Sequence, residues 1–379
     1  MIYYIIKWVI KKAFVYVAIY FFVIIIFIMN IAHNIYIHVP FCMSKCNYCA
    51  FFSHACANPD WEKYANGVCN ELQFWSEKLG RINVPTIFFG GGTPSLMPVQ
   101  VFERIIRCVY DNFNIDEKCE ITLESNPGTI DGNKLADFVS NGVNRLSVGV
   151  QSLSDDELQF LSRKHNVHQA LDLLDVAKNM NLRVSADFIY GLPNQNVQSV
   201  IDLCNEINNL GLKHVSMYEL TIEKNTPFGK MNLNMPDNKT MADMYNVIGE
   251  YLKLPKYEVS NYATSGEHCR HNENIWDGGA YIGIGRGGAG RICIDNIWYE
   301  QRGNNEFFEK ISNETRAIEK ILTGMRTMRG VKLTADVKNQ IDFDWISLHK
   351  DLVEIDSEYL HTTPRGLLIL DNVIVDLVK

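Results

Sequence analysis

The sequence predicts an α/β fold with six parallel strands, and two observations support this prediction. Short β-branched or apolar runs alternate six times with amphipathic stretches between residues 35 and 220, which is typical of a parallel sheet with right-handed crossovers. Residues that can bind a ligand or a metal stand at the end of each of these runs or directly after it. Active sites of both barrels and open α/β sheets lie where the carboxyl ends of parallel strands meet, so the alternation leaves both architectures open.

The elements follow one another in a regular order. The six strand candidates are Ile35–Val39, Thr86–Phe89, Glu120–Glu124, Arg145–Val150, Arg183–Ile189 and His214–Leu220. Apolar residues at helical spacing mark the helices between them, which are Trp61–Leu79, Val101–Phe113, Lys134–Asn141, His168–Asn179 and Val197–Leu210. An irregular stretch and the Gly-rich segment Gly278–Gly290 come next, and residues 307–379 predict a small, mostly helical domain with a β element.

The composition limits the kinds of molecule that the chain is expected to bind. The chain has 379 residues, with 36 Lys and Arg against 44 Asp and Glu, a net charge of −8. This balance does not favour binding to nucleic acid, and the length suits one large domain and a smaller one. Seven of the ten cysteines are dispersed, and we expect them to be small core residues rather than a disulfide scaffold.

The other three cysteines, Cys42, Cys46 and Cys49, have C-x3-C-x2-C spacing directly after the first strand. Three thiolates on one short loop can bind three irons of a [4Fe-4S] cubane and leave the fourth iron open to a chelating ligand. A structural zinc ion is the alternative, but it normally takes a fourth protein ligand, which His54 or Cys56 could supply.

Residues suited to a nucleotide ligand occupy the other strand ends. The turn Gly90–Thr93 lets a ligand approach the backbone closely. Glu124 and Asp187 can accept hydrogen bonds from ribose hydroxyls, and Arg163 can pair with a carboxylate. Each of these residues taken singly could also be an ordinary polar group at a strand end or on the surface. The prediction of a nucleotide site therefore rests on their convergence.

Several segments together resemble the radical S-adenosylmethionine proteins around coproporphyrinogen III dehydrogenase, and most closely their HemW-type haem-chaperone relatives. These segments include IHVPFCMSKCNYCAFF, FFGGGTPS, TLESNPGT, GVNRLSVGVQSLSDDEL, LSRKH, SADFIYGLPNQ, SMYELTIEKNTPF and EVSNYATSGEHCRHNENIW. The resemblance runs from Ile35 to the C-terminus and implies a partial (β/α)6 barrel. It also implies a [4Fe-4S] cluster on Cys42, Cys46 and Cys49. For S-adenosylmethionine it implies the residues Tyr36, Tyr48, Gly91, Gly92, Thr93, Glu124, Gln151, Arg163 and Asp187.

Two departures separate the chain from the dehydrogenases. Phe51 stands where these enzymes have a fourth cysteine, and the long N-terminal arm that helps to enclose their substrate is replaced by an apolar segment. The resemblance therefore favours a haem chaperone that delivers haem to a respiratory protein. The alternative is oxidative decarboxylation of coproporphyrinogen III by a 5′-deoxyadenosyl radical, with an electron donor such as flavodoxin.

The segment from His271 to Trp276 resembles the H-N-x-x-[YF]-W motif of the haem chaperones, with Ile275 at the aromatic position. A neutral imidazole is a common axial ligand of haem iron, so His271 is the candidate ligand, and His268 and Cys269 are the neighbouring alternatives. Ordering of a loop is the other interpretation of the motif. Arg286 and Ala289 replace a proline and a histidine that the relatives carry in the Gly-rich stretch.

The N-terminal segment 1–32 differs from the remainder of the chain. Ala13–Met29 has 17 uncharged residues preceded by three lysines, which is the lower edge of a membrane span. An anchor or signal with the lysines inside would export the domain, where an oxygen-sensitive cluster is not expected. We therefore expect a cytoplasmic protein in which residues 1–28 are either a start-site extension before Met29 or a membrane anchor. The expected units after this segment are a core at 33–225, an extension at 226–300 and a C-terminal winged-helix-like domain at 301–379.

Overall fold

A large, mostly parallel sheet forms the centre of the molecule. The computed structural model describes residues 31–302 and 307–379. Seven parallel strands lie side by side in the order β10 (Ala280–Ile284), β1 (His33–Val39), β4 (Asn83–Gly91), β5 (Asn114–Ser125), β6 (Arg145–Gln151), β7 (Arg183–Tyr190) and β8 (His214–Glu219). The strand order ends at β9 (Asn261–Ala263) on one side and does not return to the other edge. The predicted partial (β/α)6 barrel is therefore confirmed. Two short strands outside this sheet, β2 (Phe41–Cys42) and β3 (His54–Ala55), pair with each other.

The six predicted strands all form, and the Gly-rich stretch contributes a seventh that the sequence analysis missed. This stretch forms β10, which pairs parallel to β1 from His33 opposite Ala280 to Ile37 opposite Ile284. The edge beyond it is antiparallel and consists of β11 (Ala289–Ile294), β12 (Ile297–Arg302) and β13 (Phe307–Lys310). Glycines at seven positions of this stretch weakened its resemblance to a strand, because glycine is depleted in strands.

Helices cover the outer face of the sheet. Those of the barrel and its extension are α1 (Trp61–Leu79), α2 (Val99–Asn112), α3 (Gly132–Ser140), α4 (Asp155–Phe160), α5 (Val167–Asn179), α6 (Val197–Asn209), α7 (Asn238–Tyr251) and α8 (Arg270–Trp276). The buried residues of α1, α2, α3, α5, α6 and α7 join the strands in one hydrophobic core. The Asp60 side chain caps α1 by accepting from the Lys63 amide, as expected for an aspartate at the N-cap.

One expectation about the cysteines is wrong. Cys69 on α1 and Cys108 on α2 form a disulfide, with 5.7 Å between their Cα atoms. The two helices pack against each other, which brings together residues that the sequence leaves 39 positions apart. The other dispersed cysteines meet the expectation of burial at four positions, which are Cys119, Cys204, Cys269 and Cys293.

The C-terminal part has a hydrophobic core of its own, which begins at Ala317 and ends at Leu377. Its helices are α9 (Asn313–Gly324), α10 (Ala335–Asn339), α11 (Phe343–Leu348), α12 (Pro364–Leu367) and α13 (Leu370–Leu377). Its strands β14 (Val331–Lys332), β15 (Val353–Asp356) and β16 (Tyr359–Thr362) form a small antiparallel sheet. The boundaries 225/226 and 300/301 remain predictions.

The N-terminal apolar segment lies almost wholly outside the described residues, which begin at position 31. Within the described ranges, no helix has both the length and the apolar character needed to cross a membrane.

Candidate functional site

A cavity of about 470 Å³ lies at the carboxyl ends of the barrel strands. It collects all but two of the predicted site residues. Those that line it are Cys42, Cys46, Tyr48, Cys49, Gly91, Gly92, Thr93, Glu124, Gln151, Arg163 and Asp187. They come from the ends or following loops of β1, β4, β5, β6 and β7, as expected for a parallel α/β site.

The cysteine loop is held in shape by backbone and side-chain hydrogen bonds. The amide of Cys49 donates to the carbonyl of Cys46 (3.2 Å), and that of Cys56 donates to the carbonyl of Cys42 (3.0 Å). The Lys45 ammonium donates to the carbonyls of Phe51 (3.1 Å) and Ser53 (3.0 Å). These bonds fold the loop back on itself and keep the three thiols on the wall of one cavity.

A half-buried cation stands beside the thiols. Nη1 of Arg163 lies 3.5 Å from both Sγ of Cys46 and the hydroxyl of Tyr48. Burial disfavours the charged guanidinium, but the neighbouring Tyr48 and Cys46 raise the pKa of Arg163 above its ordinary value. Burial raises the pKa of the Cys49 thiol. A fixed positive charge here offsets the negative charge that ligating thiolates bring into the cavity.

The turn after β4 packs closely against the cysteine loop. A Cβ on Gly92 would lie 2.6 Å from the carbonyl oxygen of Phe41 and 3.0 Å from Sγ of Cys42, so glycine is required for this close approach. Within the described ranges, no three His, Cys, Asp or Glu side chains converge as ligands of a single metal ion would. In a cubane, each of three thiolates would hold a different iron.

Two half-buried carboxyl groups stand deeper in the cavity. Glu124 accepts a hydrogen bond from the Gly91 amide (3.1 Å), and burial together with the nearby Asp187 charge raises its pKa to about 8. Asp187 accepts from three hydroxyls, those of Ser147 (3.1 Å), Ser185 (3.3 Å) and Ser216 (2.6 Å). Burial nevertheless raises the pKa of Asp187. Both groups can accept hydrogen bonds from ligand hydroxyls.

The two remaining predicted residues, Tyr36 and His271, line a second, inner cavity of about 230 Å³. Tyr36 shares a hydrogen bond with Nδ1 of His38 (3.0 Å). His271 is 2% exposed, and its Nδ1 shares a hydrogen bond with the hydroxyl of Thr86 (2.7 Å). Burial lowers the pKa of His271 to about 4, so the ring is neutral. In the part of the chain that the structure describes, its Nε2 has no hydrogen-bond partner.

The alternatives to His271 lie just before it. Cys269 is buried. His268 is about one-third exposed and pairs with Glu273 through Nδ1 at 2.7 Å, and its ring stacks on that of Tyr257 with 4.0 Å between the centroids. His268 is therefore the most accessible of the three candidates, and both its Nδ1 and its ring face are engaged by neighbours.

The sequence analysis missed a carboxylate that positions this segment. Glu120, whose side chain is fully buried, accepts hydrogen bonds from the amides of Arg270 (3.2 Å) and His271 (3.1 Å). Arg183 donates to the same carboxylate (2.6 Å). A glutamate among the apolar residues of a predicted buried strand was the available signal, because buried carboxylates are almost always paired. Asn126, which contacts Arg163, was also missed.

Comparisons with known proteins agree with this fold. Residues 36–207 match the Radical SAM superfamily. The structure also resembles that of coproporphyrinogen III oxidase (HemN) from Escherichia coli, a radical SAM enzyme, with a TM-score of 0.76. This match covers 91% of this chain and 90% of that chain at 18% identity, so it shows a shared fold alone. The fold and the arrangement of the three cysteines define a radical SAM protein.

The sequence comparison places the chain more closely. It is 30% identical over 373 residues to the haem chaperone HemW of Haemophilus influenzae, covering 90% of this chain and 96% of the relative. It is 36% identical over 266 residues to HemW of Escherichia coli strain K12, covering 69% of this chain and 70% of that protein. The chain belongs to the HemW family.

Proposed function

We propose that this protein is a cytoplasmic haem chaperone that holds a [4Fe-4S] cluster on Cys42, Cys46 and Cys49 and delivers haem to a respiratory protein. The observation that carries the proposal is the similarity to the haem chaperone HemW along 90% of the chain. Phe51, where the dehydrogenases have a cysteine, supports the same assignment. The likeness to HemN is a likeness of fold and does not favour an oxidase.

The cavity residues fit S-adenosylmethionine beside the cluster. A reduced cluster would supply the electron that cleaves a carbon–sulfur bond of the bound sulfonium. Gly91 and Gly92 allow the ligand to approach the backbone, and Glu124 and Asp187 accept hydrogen bonds from ribose hydroxyls. Arg163 keeps a positive charge for the ligand carboxylate.

Two further residues shape the ends of the ligand site. Gln151 has a φ of 71° at a register shift in β6, and this shift turns its side chain toward the cavity. Tyr48 packs against an apolar cluster, and its ring is the one suited to the adenine.

His271 remains the proposed haem ligand, with haem as the partner of the chaperone. Its unpartnered Nε2 and neutral ring are the features that iron ligation requires. The His271 ring is 2% exposed and is held by its hydrogen bond to Thr86 on β4. Iron ligation therefore requires that α8 moves away from β4. The proposal also includes contact with a membrane, either through the acceptor or through the N-terminal segment. It further includes an electron donor such as flavodoxin.

Parallel haem-titration and coproporphyrinogen assays on anaerobically reconstituted protein test the function. The proposal expects a saturable haem Soret band at one haem per chain and no protoporphyrinogen. A Cys42→Ala, Cys46→Ala, Cys49→Ala variant in the same assays shows whether the cluster contributes. Protoporphyrinogen formation, or haem uptake no greater than that of a non-binding protein, would refute the chaperone assignment.

A further inference from the structure

A buried arginine without a direct partner lines the inner cavity. Arg145 is the first residue of β6, is 3% exposed and lines this cavity of about 230 Å³. Burial disfavours the charged guanidinium, but neighbouring groups, chiefly Cys269 and Glu120, raise the pKa of Arg145 above its ordinary value. No residue of the described ranges 31–302 and 307–379 forms a hydrogen bond or an ion pair with its side chain. Buried charges are almost always paired, so an unpaired guanidinium on a cavity wall indicates a site for an anion.

The carboxylates that act on Arg145 electrostatically take their hydrogen bonds from other groups. Glu120 accepts from Arg183 (2.6 Å) and from two backbone amides of α8. Asp187 accepts from three serine hydroxyls. Arg145 is therefore not the direct counter-ion of either carboxylate, and its N–H donors remain available to a ligand in the cavity.

The other ionisable groups on the cavity wall leave room for a negative charge. Burial lowers the pKa of His271 to about 4 and that of His214 well below its ordinary value, so both rings are neutral at pH 7. Burial raises the pKa of Glu124 to about 8, so this group is mostly protonated at pH 7. A carboxylate that enters the cavity therefore meets the full charge of Arg145, with Asp187 as the opposing charge.

The inner cavity has room for a side chain of a macrocycle but not for the macrocycle. Its volume of about 230 Å³ is below the roughly 300–1,000 Å³ of typical small-molecule sites. Glu124, Ser147 and Asp187 line both this cavity and the outer one, so the two cavities adjoin. The helix α8 contributes His271 and Asn272 to the wall. The movement of α8 that iron ligation by His271 requires therefore also opens the inner cavity.

We propose that Arg145 binds a propionate carboxylate of the haem whose iron is bound by His271. This inference rests on the haem chaperone assigned under the proposed function. Haem carries two propionates, which extend from one edge of the ring on flexible two-carbon chains. Because Arg145 and His271 line the same small cavity, a haem bound to His271 through its iron can place one of these carboxylates on Arg145. A guanidinium binds a carboxylate through two parallel N–H···O bonds, which fixes the orientation of the haem as well as its affinity.

The test compares haem with its dimethyl ester, in which both carboxylates are neutral. Spectrophotometric titration of the full-length protein in one detergent-containing buffer measures both dissociation constants. We expect the unmodified protein to bind haem at least about tenfold more tightly than the ester, because a hydrogen bond to a charged group contributes at least that much. In Arg145→Met, haem should bind as weakly as the ester does, and the two affinities should agree within about twofold.

Arg107→Met is the matched control. It makes the same substitution on α2, where Arg107 is exposed and pairs with Glu103 at 2.7 Å, and it should keep the preference for haem over the ester. Circular dichroism and urea unfolding verify that Arg145→Met is folded. If it is not, Arg145→Lys decides, because an ammonium keeps the charge but not the planar fork. Its preference for haem should fall by at least about threefold, and an undiminished preference would overturn the proposal.

Sodium propionate provides a measurement that does not depend on haem. At about 100 mM it should raise the Tm of the unmodified protein by about 2 °C relative to sodium chloride of equal ionic strength, and it should leave the Tm of Arg145→Met unchanged. If the unmodified protein binds no haem, the proposed function fails. The carboxylate site on Arg145 is then supported if this shift is seen and refuted if it is absent.

An equal preference for haem over the ester in Arg145→Met and in the unmodified protein would overturn the proposal. So would a propionate shift that depends on Arg145 in a protein that binds the ester as tightly as haem, because the cavity would then take a free carboxylate and not that of the tetrapyrrole.

Discussion

The Arg163 guanidinium lies 3.5 Å from Sγ of Cys46, so one side chain connects the nucleotide part of the cavity to the cysteine loop. Its Nη2 donates to the carbonyl of Gly149 (3.0 Å) and to Oδ1 of Asn126. These contacts fix the guanidinium between the ends of β5 and β6 and the loop after β1. Nε has no hydrogen-bond partner among the described residues, which leaves a donor available for a bound ligand.

We therefore predict that Arg163→Met weakens S-adenosylmethionine binding. A hydrogen bond to a charged group contributes about 1.5–3 kcal/mol, which corresponds to a loss of roughly 10- to 150-fold in affinity. Equilibrium dialysis with labelled ligand measures it. Arg163→Lys should recover only part of the affinity, because an ammonium keeps the charge but not the planar fork. Unchanged affinity in Arg163→Met would contradict this role.

Replacing any one of Cys42, Cys46 and Cys49 by Ala should abolish the brown colour and most of the iron and sulfide of anaerobically purified protein. Each thiolate holds a different iron, so losing one destabilises the cubane. Cys56→Ala is the matched control, because Cys56 is half-buried next to the loop and its contact with Cys42 is made by its backbone amide. A single-cysteine variant that retained four irons would be incompatible with the assignment.

The cavity was predictable because strand–helix alternation determines where strand ends meet. Cys42 after β1, Glu124 in β5 and Asp187 in β7 are far apart in sequence, yet parallel pairing brings them to one edge. The resemblance then supplied the choice of a partial barrel, which the alternation left open. These predictions depend on strand order alone, which right-handed crossovers restrict to few arrangements.

The inner cavity was not predictable in the same way. Its position depends on which face of each strand a side chain occupies and on long-range pairings such as that of β1 with β10. Tyr36 lies in the middle of β1 and lines the inner cavity, whereas the cysteines follow the end of this strand. The contact between Thr86 and His271 spans 185 positions, and no periodicity in the sequence encodes it.

The raised pKa of Glu124 predicts that S-adenosylmethionine affinity depends on pH. Its pKa of about 8 means that the ligand-free protein holds this carboxyl group protonated at pH 7. Donation by ribose hydroxyls favours the carboxylate, so binding releases a proton. The affinity should rise as pH increases from 6.5 to about 8, by at most about tenfold per pH unit, and level off above that.

Calorimetry in buffers of different ionisation enthalpy measures both the affinity and the proton released. Glu124→Gln removes the titrating group, so its affinity should change little over the same range and no proton should be released by this site. A rise of equal slope in Glu124→Gln would assign the pH dependence to another group.

Removing the Glu120 carboxylate should destabilise the fold. Glu120→Ala would leave Arg183 and the amides of Arg270 and His271 without their shared acceptor. Breaking a buried ion pair in this way costs about 3–5 kcal/mol, and urea unfolding measures it. Glu267→Ala is the matched control, since Glu267 also pairs with Arg183 (3.2 Å) but is partly exposed, and it should cost less than about 1 kcal/mol. Equal losses would mean that the buried network does not hold α8.

Haem binding should depend on His271 and not on His268. The Nε2 of His271 has no partner within the described ranges, and the hydrogen bond between Nδ1 and Thr86 (2.7 Å) orients the ring. His271→Ala should therefore lower haem affinity and shift the Soret band, as followed by spectrophotometric titration. Thr86→Val, which removes only the orienting bond, should lower affinity by about tenfold, because partners of a metal ligand typically contribute 10- to 100-fold. If His271 is the ligand, His268→Ala should leave the Soret band unchanged. The opposite result, a band that is lost in His268→Ala and unchanged in His271→Ala, would assign the ligand role to His268.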